Sequence, residues 1–253
     1  MTIKRKAILI SSPDANGATS LFPGTYKDIV KWKNLLQKSS GGAWDDKTEI
    51  VEYSYEKHGS LCEYIKSLGY LEYLFLMYSG HGYRKGNESY IYEEETSSIC
   101  LKDLESIVAQ VVPKATIIVD ACRCDQYDIP YIHMYATLPA FLTESKDPAK
   151  EVKWENKLRN SQINGLVTIQ SCSLFEQSSM QDKNESSLFS DKMLDATRDP
   201  FIETVGDAFI FAEHETKKTA ISWNRLQLPQ LSHNGNVVAV SKCSAIDYPL
   251  VIK

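Results

Sequence analysis

The chain has 253 residues, of which 43% are hydrophobic and 24% charged, and its formal net charge is −5. Such a length can form one α/β domain with a substantial core, and the composition is typical of soluble globular proteins. The negative charge argues against nucleic acid as a partner, and no run approaches the roughly 20 apolar residues that cross a membrane. The short apolar run at the amino terminus predicts a buried strand rather than an export signal, so we expect a cytoplasmic protein with reduced cysteines.

The first half of the chain alternates short apolar runs with amphipathic stretches. We expect strands at 6–12, 48–53, 72–79 and 116–120, a small strand at 89–93, and helices at 26–36, 61–68 and 101–111. The last of these helices has an apolar face at 3.6-residue spacing, formed by Leu101, Leu104, Ile107, Val108 and Val111. This alternation is typical of a mostly parallel sheet whose crossover helices cover both faces.

The second half of the chain is less regular. Residues 124–164 contain prolines, a run of charges and little apolar pattern, which predicts a functional or mobile loop. Beyond it we expect strands at 165–172 and 236–241, a polar loop at 172–184, and a helix at 200–213 with Phe201, Val205, Phe209 and Ala212 in register. The whole pattern predicts an α/β fold of about six mostly parallel strands in one domain, residues 1–253.

Two of the predicted strands end on reactive residues. Residues 72–82 read EYLFLMYSGHG and residues 115–123 read ATIIVDACR, so one run ends near His81 and the other near Cys122. Because reactive groups gather at the carboxyl ends of parallel strands, we expect the imidazole and the thiol to share a cleft. For either residue alone, the alternative is a buried cysteine or a histidine that merely ends a strand.

A thiol and an imidazole in one cleft are the elements of a cysteine peptidase. Cys122 would attack the peptide carbonyl as a thiolate, and His81 would serve as general acid and base. The backbone N–H groups of Gly82 and Cys122 are natural donors to the oxyanion. No metal or organic cofactor is required for this chemistry. The glutamate run at 93–95 invites a calcium site, but a solvated charge run is favoured there.

The sequences around these two residues are similar to those of a known family. YSGHG around His81 and DACR around Cys122 resemble the His and Cys motifs of the caspase-like peptidases, that is, the caspases, metacaspases and paracaspases of peptidase family C14. Upstream, residues 23–28 resemble the metacaspase segment that opens the first helix, with Thr25 in place of a cysteine. The resemblance implies a caspase-like three-layer sandwich and an endopeptidase. It is strongest to small stand-alone microbial metacaspase-like members, which occur in cell death and antiphage defence.

The resemblance also implies a cleavage specificity. In metacaspases, the aspartate two residues before the nucleophile and the aspartate of the first helix line a pocket for a basic P1 side chain. The matching residues here are Asp120 and Asp28, with Ser79 beside them. Carboxylates in such a pocket attract Arg or Lys and disfavour an acidic P1 residue. Alternatives stay open for both residues: Asp28 could complete a capping-box-like start with Thr25 or interact with the helix dipole, and Arg123 could neutralise Asp120.

The strand GLVTIQSC and the polar loop after it resemble the segment with which the family holds its substrate. The substrate would bind as an extra strand along the backbone of residues 171–175, with Ser171 and Ser173 as binding residues. An ordinary surface loop is the alternative. The resemblance divides the domain into a large-subunit-like part (1–123), a variable loop (124–164) and a small-subunit-like part (165–253). Self-processing of the loop could occur at any of its basic residues, Lys146, Lys150, Lys153, Lys157 and Arg159.

The expected partner is a protein or peptide with Arg or Lys at P1, and an activating ligand, partner or ion would gate the enzyme. Two other functions stay open. A catalytically silent caspase-like scaffold would bind peptides without needing Cys122 and His81. A flavodoxin-like domain would need a phosphate-binding glycine-rich turn after the first strand, and SSPDANGATS at 11–20 is a poor version of one. Cys124, two residues after Cys122, departs from the family motif as a nucleophile and would at most tune redox sensitivity.

Overall fold

The computed structural model describes residues 2–11, 23–94, 96–124, 147–179 and 186–253. Its strands are β1 (Arg5–Ser11), β2 (Ile50–Tyr53), β3 (Tyr73–Gly80), β4 (Gly82–Lys85), β5 (Glu88–Tyr92), β6 (Ser98–Cys100), β7 (Lys114–Ala121), β8 (Gly165–Gln170), β9 (Gln230–His233) and β10 (Asn236–Val237). Most of the segment 11–20, the last glutamate of the 93–95 run and Lys146 lie outside the described residues.

The central sheet of the described part has seven strands in the order β10-β9-β8-β7-β3-β1-β2. The strands from β8 to β2 run parallel, whereas β9 and β10 add antiparallel at the opposite edge. A separate small sheet has the order β4-β5-β6, and its first strand follows directly after His81. The prediction of a mostly parallel α/β sheet is confirmed.

Helices cover the central sheet on both faces. They are α1 (Pro23–Gln37), α2 (Tyr55–His58), α3 (Leu61–Ser67), α4 (Leu101–Val111), α5 (Pro148–Arg159), α6 (Leu188–Ala196) and α7 (Val205–Ser222). Along β3, Phe75 and Met77 pack in the core with α1, α5, α6 and α7, whereas Leu74 and Leu76 pack in a second core with α3 and α4. Because side chains alternate along a strand, a continuous apolar run feeds both cores. The three-layer sandwich is therefore confirmed.

The prediction of a loop over 124–164 is wrong for its second part. Residues 148–159 form α5, which begins with Asp147 as N-cap: its carboxylate accepts a hydrogen bond from Ala149 N at 3.0 Å. Trp154 and Leu158, one turn apart, are buried in the core against the sheet. The start signal, an aspartate followed by Pro148, was present in the sequence, but only a thin apolar stripe followed it.

The sequence pattern also missed α2, β4 and β6, each only three or four residues long, and further differences lie after β8. The predicted helix at 200–213 is α7, but it begins at Val205, after the N-cap Thr204, and Phe201 is 91% exposed. The predicted strand at 236–241 is only the two residues of β10, followed by a 3₁₀ helix at Val240–Ala245. The sequence pattern missed α6 and β9 altogether, since both are short and have no long apolar run.

Replacing Trp154 tests the packing of α5. The Trp154 ring meets Trp44 and Tyr73 edge-on, at centroid distances of 5.6 and 5.9 Å, and the Arg5 guanidinium lies 5.2 Å from it. We expect Trp154→Ala to lower the free energy of unfolding by about 3–5 kcal/mol, measured by urea denaturation. Val152→Ala on the exposed face of the same helix is the matched control and should change it by less than about 0.5 kcal/mol. Equal stability of the two variants would contradict the packing.

Candidate active site

The register between β3 and β7 places His81 beside Cys122. Gly80 pairs with Ala121 at the end of the two parallel strands. The residue after Gly80 is His81, and the residue after Ala121 is Cys122. Neighbouring strands lie about 4.8 Å apart. The two candidate residues therefore leave the sheet side by side at its carboxyl edge, as the sequence predicted.

Close packing of Gly82 holds the chain after His81 against the nucleophile segment. A β-carbon at Gly82 would lie only 2.8 Å from the Ala121 Cβ and 2.8 Å from the Cys122 carbonyl oxygen. Two residues further on, Arg84 N donates a 2.9 Å hydrogen bond to the Cys124 carbonyl. The first residues of β4 thus run alongside the chain from Ala121 to Cys124, and only glycine fits at the closest approach.

The backbone of His81 is fixed by a buried tyrosine. Tyr78 Oη donates to the His81 carbonyl at 2.5 Å and accepts from Tyr92 N at 3.2 Å. Tyr92 N also approaches the His81 carbonyl, at 3.3 Å. Tyr78 is fully buried and His81 is half-buried, so the hydrogen bonds of Tyr78 fix the backbone at the end of β3 from within the core.

The Cys122 thiol is buried beside a second thiol. It shares a hydrogen bond with the Cys124 side chain and donates one to the Ser178 carbonyl at 3.9 Å. The hydrogen bond to Cys124 and burial hold the pKa of Cys122 well above its ordinary value, so the thiol is neutral at pH 7. A base must therefore accept its proton when it attacks, which is the role expected of His81.

Arg123 anchors the nucleophile segment through both its backbone and its side chain. Its N–H donates to the Glu176 carbonyl at 2.8 Å and its carbonyl accepts from Phe175 N at 2.9 Å. The guanidinium donates to three oxygens, those of the Ser89 hydroxyl, the Cys172 carbonyl and the Gln230 amide. All three acceptors lie on or next to β5, β8 and β9. These bonds do not support the alternative that Arg123 neutralises Asp120.

Asp120 lies at the end of β7 and is 3% exposed. Four donors from three serines satisfy its carboxylate: Ser178 Oγ at 2.6 Å, Ser190 N at 3.1 Å, Ser190 Oγ at 2.8 Å, and Ser187 Oγ. Ser187 is the N-cap of α6, so the carboxylate sits at the amino-terminal end of that helix, where negative charge is stabilised.

Asp28 lies beside Asp120 and is completely buried. Among the described residues, it accepts hydrogen bonds from Ser79 Oγ at 2.6 Å on β3 and from Ser187 N at 3.1 Å at the start of α6, and these bonds give no support to the capping alternative. Burial first, and the neighbouring Asp120 charge second, raise the pKa of Asp28 well above its ordinary value. The structure therefore brings Asp28, Ser79 and Asp120 together, as the resemblance implied.

Sequence reasoning missed the three serines of α6 and the loop before it, Ser178, Ser187 and Ser190. The available signal was local. Residues 187–190 read SLFS, in which a serine precedes an apolar pair and a second serine follows three residues later, and this is an N-cap pattern. That pattern would have placed a helix start at Ser187. It would not have shown that the helix end meets Asp120, because that contact joins residues 67 and 70 positions apart.

Ser171 and Ser173 are occupied by contacts within the protein. Ser171 is buried, its N–H donates to the Val119 carbonyl at 3.0 Å, and its hydroxyl accepts from Ala121 N at 3.2 Å. Ser173 N donates to the Glu176 carboxylate at 3.0 Å, and Ser173 Oγ donates to a carbonyl at 2.8 Å. Substrate binding along this backbone stays a prediction, and it would require these polar groups to exchange partners.

Two further expectations concern a calcium site at the glutamate run and a membrane-spanning segment. Glu93 is buried, and its carboxylate accepts from Leu61 N at 2.6 Å. Within the ranges that the structure describes, no cluster of three or more His, Cys, Asp or Glu side chains is arranged to hold a metal ion. Among the helices of those same ranges, none combines the length and the apolar character needed to cross a membrane.

The comparisons with known proteins agree with the fold. The sequence model of the caspase domain family, Peptidase C14, matches residues 58–237, a range that includes both His81 and Cys122. The chain therefore belongs to the caspase domain family of cysteine peptidases. The crystal structure of caspase-1 from Spodoptera frugiperda matches with a TM-score of 0.57 and 12% identity, over 95% of this chain and 91% of that one. None of the curated proteins compared with the sequence matches it.

The buried Asp28 carboxyl should make the protein less stable as the pH rises. Its folded pKa is raised above 3.8, so above that pH the folded state keeps a proton that the unfolded state has released. The free energy of unfolding therefore falls as the pH rises from about 4 through the raised pKa. Asp28→Asn should reduce this decline, measured as the difference between urea midpoints at pH 5 and pH 8. Asp103→Asn, at an exposed position on α4, is the control and should retain the decline; an equal decline in wild type and Asp28→Asn would contradict the assignment.

Proposed function

We propose that the chain is a cysteine endopeptidase that cleaves proteins or peptides after Arg or Lys, with Cys122 as nucleophile and His81 as general acid and base. The observation that carries the proposal is the pairing of Gly80 with Ala121, since it sets the candidate base and nucleophile on adjacent strand ends. Membership of the caspase domain family supports the same reaction.

The chemistry follows from the neutral resting thiol. As Cys122 Sγ attacks the scissile carbonyl carbon, its proton passes to the His81 imidazole, and negative charge develops on the carbonyl oxygen. The N–H groups of Gly82 and Cys122 are the proposed donors to that oxygen. His81 then protonates the departing amine, leaving a thioester on Cys122. Water, deprotonated by the same imidazole, hydrolyses the thioester and restores the thiol.

The two buried carboxylates support a basic P1 side chain. Asp120 stands two residues before Cys122, and Asp28 lies near enough for the Asp120 charge to raise its pKa. A guanidinium or ammonium group would relieve this repulsion, whereas an acidic P1 residue would add a third carboxylate. Entry of the basic group would require hydroxyls that now donate to the carboxylates, such as those of Ser178 and Ser187, to turn away.

The biological role we propose is that of a gated effector in microbial cell death or antiphage defence, acting in the cytoplasm. This role rests on the similarity to small stand-alone members of the family. A neutral nucleophile and carboxylates saturated by serines are compatible with a resting state that an activating ligand or partner would change. The chemistry needs no metal, so we expect turnover without calcium.

A panel of fluorogenic tetrapeptides that differ only at P1 tests the proposal. We expect hydrolysis after Arg and Lys but not after Asp or Leu, equally with added calcium and with a chelator. Cys122→Ala should abolish turnover, and His81→Ala should lower kcat/KM by about 10²–10⁴-fold. Cys100→Ala, at another half-buried cysteine, is the matched control and should retain activity. Equal turnover of the Asp and Arg substrates would overturn the assignment of the pocket.

Labelling by an electrophile, together with the peptide panel, separates the peptidase from a silent scaffold. An Arg-directed electrophile should label Cys122 in the wild type and give no label in Cys122→Ala. A folded wild-type chain that hydrolyses none of the peptides and is not labelled would support the scaffold instead. Membership of the caspase domain family argues against the flavodoxin-like alternative.

The position of α5 restricts where self-processing can occur. Peptidases of this kind bind their substrates in extended form, but Lys150, Lys153, Lys157 and Arg159 belong to a helix packed on the core. Within 124–164 this leaves Lys146 as the basic residue outside the helix. If the purified enzyme processes itself in this segment, mass spectrometry should find a fragment that begins at Asp147. Lys146→Ala should abolish that fragment and Lys150→Ala should not; cleavage inside α5 would contradict the prediction.

A further inference from the structure

Cys124 is a second thiol beside the nucleophile for which the proposed mechanism has no use. Arg123, between the two cysteines, is anchored by its backbone bonds with Phe175 and Glu176, and its guanidinium donates to the Cys172 carbonyl within the protein. Cys122 and Cys124 therefore flank a fixed residue, and their side chains share a hydrogen bond.

A third thiol, Cys172, lies near the same segment but is held differently. Its Sγ approaches the Ala121 carbonyl at 3.3 Å and the Glu176 carbonyl at 3.5 Å, and the residue has no exposed surface. Both contacts are to backbone oxygens, so the thiol proton is already engaged within the protein. Cys124 is therefore the better placed partner for chemistry at Cys122.

We propose that Cys122 and Cys124 form a reversible disulfide when the protein meets hydrogen peroxide, and that this bond switches the peptidase off. Only the effect on activity rests on the proposed function; bond formation does not. In the first step, the Cys122 sulfur attacks one peroxide oxygen, the O–O bond breaks, and water leaves as the thiol becomes a sulfenic acid. In the second, the Cys124 sulfur attacks Cys122 Sγ and a second water leaves. Two thiols are oxidised and one peroxide is reduced to two waters.

The short spacing of the pair favours reversibility, and the protonation of Cys122 sets the rate of oxidation. A disulfide between residues only two apart departs from relaxed geometry, which makes such a bond easier to reduce than a structural disulfide. The hydrogen bond with Cys124 and burial raise the pKa of Cys122, so oxidation should be slow at pH 7 and should quicken as the pH rises. The bond would use the sulfur that attacks the substrate, so the oxidised chain would have no nucleophile.

Tryptic mapping tests the bond directly, because trypsin cleaves after Arg123 and separates the two cysteines. After treatment with hydrogen peroxide and blocking of free thiols, the non-reduced digest should contain residues 115–123 joined to residues 124–146. Treatment with dithiothreitol should separate them. A joined pair made of residues 115–123 and 160–183 would identify Cys172 as the partner and overturn the proposal, as would the absence of any joined pair.

Activity against an Arg peptide gives the second measurement. We expect peroxide to abolish wild-type turnover and dithiothreitol to restore it. With each variant compared to its own untreated turnover, Cys124→Ser should lose activity in peroxide and dithiothreitol should not restore it, since the sulfenic acid without a partner thiol proceeds to the sulfinic acid. Cys100→Ser is the matched control and should behave as wild type. Full recovery of Cys124→Ser would overturn the switch, whereas a joined peptide in a chain without turnover would overturn the peptidase and leave the redox pair standing.

Discussion

The parallel register of β3 against β7 is the constraint on which the candidate site depends. Gly80 faces Ala121, and the strands end together, so the residues that follow emerge next to each other. A slip by one residue would reverse the face of every side chain in a strand that feeds two separate cores. The packing of the sheet thus sets His81 and Cys122 on adjacent strand ends, and at Gly82 the chain of β4 comes into close contact with the backbone of Cys122.

A second constraint joins distant parts of the chain around two carboxylates. Burying a charge is costly unless hydrogen bonds satisfy it, and the donors to Asp120 come from the loop after β8 and the start of α6. Asp28 is brought in from α1 and bonded to Ser79 on β3. The amino-terminal end of α6 is therefore organised by the same carboxylates that would recognise a basic side chain, which ties the fold of the chain after β8 to the candidate pocket.

The sequence predicted best where one physical signal was strong. Strands β3 and β7 are buried on both faces and show as unbroken apolar runs, and α4 shows a full apolar stripe with Pro113 beyond its end. The helix α5 buries mainly Trp154 and Leu158, and β9 is held by pairing with β8, so neither has a periodic pattern of its own. The site followed the same rule: His81 and Cys122 stand at predicted strand ends, whereas the serines around Asp120 are brought there by contacts between distant residues.

The raised pKa values of Cys122 and Asp28 share a physical cause, since both groups are buried among neighbours that disfavour a negative charge. In the proposed function, binding and reaction of the substrate supply the interactions that favour these ionised forms. A P1 guanidinium would stabilise the ionised Asp28, and the developing oxyanion would draw the Cys122 proton onto His81 only as the carbon–sulfur bond forms. Charge would then appear when a matching peptide is bound and remain suppressed otherwise. Selection of the substrate and activation of the nucleophile would thus depend on the same interactions, so a poorly matched peptide would lose reaction rate as well as affinity.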